Sequence, residues 1–105
     1  MSEVELVKRG KIIETLLERA RRALPDLPAR HAREQAALLA RYREFLQHNE
    51  LELALDVLER LGHLVGARGG FWRDLERAAE NMGLVDRIPA LQKAFSAARV
   101  PPKSR

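Results

Sequence analysis

The chain has no cysteine in its 105 residues, so neither a disulfide framework nor a thiolate metal site can hold it together. Aromatic residues make up only 5%, with a single tryptophan and a single tyrosine, so any core must be mostly aliphatic. No apolar run approaches the roughly 20 residues that cross a bilayer. The opening Met-Ser-Glu-Val-Glu lacks the basic-then-apolar layout of a signal peptide. Hydroxyl nucleophiles are nearly missing too: Ser2, Ser96, Ser104 and Thr15 are the full set, and none lies in a glycine-rich elbow. These absences lead us to expect a soluble, cytoplasmic protein that is not an enzyme and carries no cofactor. A chain this long is expected to form one domain and to bury about two-thirds of its unfolded surface, which suffices without covalent staples.

Charge is abundant, at 32% of residues with a net +4. It is unevenly spread. The stretch 50–66 carries Glu50, Glu52, Asp56 and Glu59 against Arg60 alone, an acidic island in a basic chain. Much of the basic excess lies toward the C-terminus, and most other Lys and Arg stand at helical spacing from a carboxylate. A phosphate-binding surface would leave many of them unpaired, so nucleic acid is not the favoured partner.

Every periodic segment has helical spacing, and none alternates as a strand does. The expected fold is therefore all-α: a compact bundle of five short antiparallel helices over 1–99, with a basic, proline-rich tail at 100–105 that should be disordered. Ser2 and Glu5 form a capping box for a first helix from Glu3 to Ala23, with Leu6, Ile13, Leu17, Ala20 and Leu24 inward and Val7 and Leu16 beside them. Glu5–Arg9 and Glu18–Arg22 are expected ion pairs along its wet side. Pro25 stops that helix, and Pro28 suits the first turn of a second running to Gln47.

Asn49, with Glu52 three residues on, reads as the N-cap of a third helix from Glu50 to Val65. Leu51, Ala54, Leu55, Leu58, Leu61, Gly62 and Val65 give that helix an unbroken apolar stripe, with Leu55, Leu58 and Leu61 at the core's centre. A second line, Leu53, Val57 and Leu64, predicts a central helix covered on two sides. Gly66 to Gly70 is expected as a flexible link. A fourth helix follows from Phe71 to Met82, and a fifth is capped by Asp86.

Candidate chemistry is thin. His31, His48 and His63 include the i,i+4 pairs Glu44–His48 and Glu59–His63, but three converging ligands for a metal are missing. Arg68, Arg73 and Arg77 suggest a helix-turn-helix, with Arg73 and Arg77 on one face. Asp74, Glu76 and Glu80 cancel their field, and the link before that helix is too long. The acidic row is different in kind. Glu52, Asp56 and Glu59 recur on one face with Glu50 close by, although like charges so placed weaken a helix slightly. Helix N-terminal stabilisation accounts for Glu50 and Glu52 but not for Asp56 and Glu59. The candidate partner-binding residues are therefore Glu50, Glu52, Asp56 and Glu59.

Two stretches carry a family resemblance. Phe45-Leu-Gln-His-Asn-Glu-Leu-Glu-Leu-Ala-Leu-Asp-Val-Leu58 and Phe71-Trp-Arg-Asp-Leu-Glu-Arg-Ala-Ala-Glu-Asn-Met-Gly-Leu84 resemble small all-helical bacterial immunity proteins of the MafI type. The resemblance spans Phe45 to Leu84. It implies a helical protein that binds and neutralises a cognate toxin domain, often a nuclease, and it gives the acidic row a role as a stand-in for phosphates in a cationic site. Two other readings stay open. One is a DNA- or RNA-binding regulator using the Arg-bearing starts of helices 2 and 4, and the other is a homo-oligomeric helical adaptor.

Overall fold

Three helix ends decide how this chain turns. In the computed structural model, which describes residues 3–26 and 29–99, Asn49, Gly66 and Gly83 all adopt left-handed backbone conformations. They close α2 (Ala32–Gln47), α3 (Leu51–Val65) and α4 (Gly70–Met82) in turn, with α1 (Glu3–Arg22) before them and α5 (Ile88–Arg99) after. Short 3-10 turns at Ala29–His31 and Val85–Arg87 lead into α2 and α5, and no strand occurs among the described residues. The chain is an all-α bundle. The capping box at Ser2, the placement of Pro28 and the 100–105 tail lie outside the described residues.

Asn49 is not the N-cap that its spacing from Glu52 suggested. Its φ is 58°, its N–H donates to the Leu46 carbonyl at 3.1 Å, and the Glu50 N–H donates to the Phe45 carbonyl at 2.8 Å. That paired pattern is a Schellman closure of α2, which needs a left-handed residue just past the helix. Asparagine tolerates that conformation better than other side-chain-bearing residues, and this is its job here. Glu50 takes the N-cap position of α3 without a side-chain capping bond. Gly83 closes α4 in the same way, through Gly83 N–H to Glu80 O at 3.1 Å and Leu84 N–H to Ala79 O at 2.9 Å.

The helices do not pair in chain order. α2 packs on α3, whereas α1 packs chiefly on α4 and secondarily on α3, and α5 lies on α4. Thus α3 touches α2, α4 and α1, yet Leu53 of its second apolar line stays 41% exposed, so the expected cover on both sides is incomplete, and α4 is equally central. Its buried face includes Phe71, Trp72, Leu75, Ala78 and Ala79, and is broad enough to take in Asp74 and Glu76. In the sequence those two acids served only to cancel the field of the nearby arginines. Instead Asp74 meets Arg19 of α1 at 3.4 Å, and Glu76 accepts from Gln92 Nε2 of α5 at 3.0 Å. Each buried carboxylate therefore keeps a partner, as burial demands.

Leu55, Leu58 and Leu61 are fully buried beside Leu17, Tyr42, Phe71, Leu75 and Leu91, as the α3 stripe required. Val7 was expected near the core but is 59% exposed, because the first turns of α1 extend past the helices that cover its second half. The Gly66–Gly70 link is a packed turn. Ala67 is buried within it, and the Trp72 indole N–H donates to the Ala67 carbonyl at 2.8 Å. A second tie crosses from α2 to α1, where the buried Tyr42 hydroxyl donates to Glu18 Oε2 at 2.6 Å. Burial first, and the neighbouring Glu18 second, hold the Tyr42 phenol well above its ordinary pKa of 10.0. Glu18 also meets Arg21 at 3.4 Å, not Arg22 as i,i+4 spacing suggested.

Candidate functional site

The acidic row of α3 faces the corner between α4 and α5. That corner brings Arg87, at the end of its 3-10 turn, between two of the row's members. The guanidinium reaches Asp56 Oδ1 at 2.5 Å through Nη1 and Glu59 Oε1 at 2.6 Å through Nη2. Partial burial works to lower the Arg87 pKa, but the hydrogen bonds and charges of Glu59 and Asp56 outweigh it and hold it above the ordinary arginine value. Arg87 also relieves the like-charge repulsion along α3, which accounts for how this helix carries the row.

The four acids picked from sequence therefore part company. Asp56 and Glu59 are tied into the fold. Glu52 remains exposed and lines a shallow depression of about 280 Å³ together with Gly83, Leu84, Val85, Asp86 and Arg87. Glu50 is exposed at the α2–α3 corner. Asp86 does not cap α5 as expected: it lies inside the 3-10 turn, exposed and without a capping hydrogen bond. Val85 beside it is 70% exposed, the most exposed large apolar side chain among the described residues.

The resulting surface has an apolar knob, Val85, with open carboxylates at Glu52 and Asp86 and a bridged Asp56–Arg87–Glu59 group behind. Such a surface can accept lysine or arginine side chains from a partner while covering a small apolar contact. Sequence reasoning missed Arg87 and Val85. Arg87 lies 28 residues from Glu59, and the two meet only because α4 packs on α3 and carries the following 3-10 turn with it.

The remaining candidates fall out differently. Neither histidine pair forms: His48 Nδ1 lies 2.9 Å from the Glu44 backbone carbonyl, and His63 packs its ring 4.8 Å from that of Trp72. No group of three or more metal-binding side chains comes together among the described residues. Arg73 lies over the Phe95 ring at 4.5 Å, which attaches α4 to α5. The expected carboxylate partners of many cations are also missing. Among the described residues, Arg30, Arg33, Arg41, Arg43 and Arg60 take part in no ion pair. No described helix is long and apolar enough to cross a membrane. No family model, curated protein or solved structure matches this chain.

Proposed function

We propose that this chain is a non-enzymatic protein-binding module, an immunity-type inhibitor that holds a bacterial toxin domain through the acidic end of its bundle. The observation that carries the reading is the arrangement at that end, where Glu52 and Asp86 stay open beside the exposed Val85 while Arg87 fixes Asp56 and Glu59. Charges held in place before binding lose less freedom on association than charges on free side chains. The resemblance of Phe45–Leu84 to immunity proteins of the MafI type supports the same reading. The partner is a protein with a cationic surface; a small-molecule substrate, a cofactor and a membrane have no part in it.

The test uses the product of the adjacent open reading frame as the probe. A Glu52→Lys, Asp86→Lys variant leaves the Arg87 bridge intact, so it should fold normally by circular dichroism. Its association with that protein should slow and lose its salt sensitivity, as expected for charges at an interface rim. Undiminished binding, or undiminished protection of cells expressing the toxin, would remove the acidic end from the interface.

A second reading rests on Arg30, Arg33 and Arg43, which stay free of ion pairs on α2 and its lead-in turn. Free cations on one element are what a nucleic-acid-binding regulator requires, and steeply salt-dependent binding to random duplex DNA would favour that reading.

A further inference from the structure

We propose that the outer seam between α2 and α3 is a docking groove for an amphipathic helix of a partner protein, one whose apolar stripe is flanked by carboxylates. The reading does not rest on the acidic end, since the groove occupies the next face of α3 and shares only Asp56 with it. Its apolar lining is Leu38 and Phe45 from α2 with Leu53 and Val57 from α3, and Arg41 and Arg60 stand at its sides. The recess is about 180 Å³, room for a large aliphatic side chain to insert.

The groove exists because α2 is thinly covered. Tyr42 is its single buried residue, while Leu38, Leu39, Phe45 and Leu46 are half-buried along the same side. Leu53 on the facing helix is 41% exposed although it belongs to an apolar line of α3. An amphipathic helix ordinarily buries that stripe against a neighbour, and among the described residues no element covers this flank.

Charge selects the occupant. Asp56 is already bound by Arg87, so the groove's open charges are Arg41 and Arg60, neither of which has a carboxylate partner among the described residues. Arg41 instead lies 5.9 Å from the Phe45 ring centre, extended across the apolar lining. Two copies of the chain meeting seam to seam would bring four unpaired arginines together, so self-pairing is opposed. A nucleic acid would bring phosphates to the arginines but would leave the aliphatic lining exposed. Both walls are helices with satisfied backbones, so an added strand has no edge to pair with. A helix with leucine-like residues at i, i+3 and i+7 and Asp or Glu beside them meets every feature of the groove.

The test uses two short stapled helical peptides with leucines at that spacing, flanked by Glu in one and by Lys in the other. Fluorescence anisotropy at low salt should show the Glu peptide binding at least about tenfold more tightly. Amide shift changes should centre on Leu38, Phe45, Leu53 and Val57. The Arg41→Glu, Arg60→Glu variant should reverse the preference, and Leu53→Asp, at an exposed position, should abolish binding of either peptide while circular dichroism stays unchanged. Equal binding of the two peptides, binding of neither, or shift changes mapping to another surface would overturn the proposal. So would a concentration-dependent dimer that Leu53→Asp dissolves, since a second copy would then be the occupant.

Discussion

Substituting Gly62 with alanine sets two known effects against each other at one atom. Alanine is the better helix former by about 1 kcal/mol, so propensity alone predicts a more stable protein. A Cβ at position 62, however, would stand 2.3 Å from Phe71 Cε2, 2.8 Å from Trp72 Cη2 and 2.9 Å from Phe71 Cζ. Ordinary carbon contacts are about 3.5–4.0 Å, so the overlap exceeds half an ångström at all three atoms. Neither ring can step aside easily. Phe71 is fully buried, and Trp72 is tied by its indole N–H to the Ala67 carbonyl. Overpacking of this kind costs about 1–3 kcal/mol, and the overlap here places it at or above the top of that range. The net expectation is a loss of about 2 kcal/mol, or roughly 8–16 °C in Tm for a domain of this size. Urea unfolding followed by fluorescence of Trp72, the sole tryptophan, reads the change directly. Gly10 is the control: it lies in α1 with nothing within 4 Å of an added Cβ, so Gly10→Ala should stabilise by about 0.5–1 kcal/mol. A Gly62→Ala midpoint at or above that of the parent chain would refute the close approach of α3 and α4.

Leu58→Ala should cost about 2–5 kcal/mol, read as a lowered urea midpoint, because the side chain is fully buried at the centre of the core. Asn49→Gly should leave stability equal or slightly higher, whereas Asn49→Ser should cost about 1 kcal/mol, since serine suits an N-cap but not a left-handed backbone. A neutral Asn49→Ser in the same urea assay would restore the N-cap reading. Tyr42→Phe should lose about 1 kcal/mol at neutral pH by removing the bond to Glu18. The folded-state pKa of Tyr42 is raised, so its contribution is complete below the unfolded value of 10.0 and falls as pH rises beyond it. The parent chain should therefore lose stability between pH 10 and 11 more steeply than Tyr42→Phe does, as measured by urea titrations at each pH.

Helix content and helix ends were legible because each rests on local signals: apolar periodicity, proline stops, and glycine or asparagine at turns. The α3 stripe could be read residue by residue because its burial follows a single period. Which helices touch was not legible. The pairing of α1 with α4 joins helices separated by two others in the chain, and no local pattern encodes it. The burial of Asp74 and Glu76 was hidden for the same reason, since a charged residue looks solvated until the helices beside it supply Arg19 and Gln92. Asn49 was read by residue type and spacing, and asparagine serves both a cap and a left-handed turn. At the candidate site, the acidic row was plain in the sequence and its clamp was not. Arg87 looked like one more unit of C-terminal basic charge.

The pairing of α1 with α4 also bears on how the chain is made. At synthesis rates of about 5–20 residues per second, the ribosome finishes α4 roughly 3–12 s after α1. Through that interval Ile13, Leu16, Leu17 and Ala20 lack their principal support, α4, and α3 offers only a lesser one. The contacts between α2 and α3, joined by a tight corner, are local in the chain and can form while α1 waits. Loop closure across two intervening helices then becomes the late step, and nascent chains stalled before Gly70 should present the apolar side of α1 to chaperones.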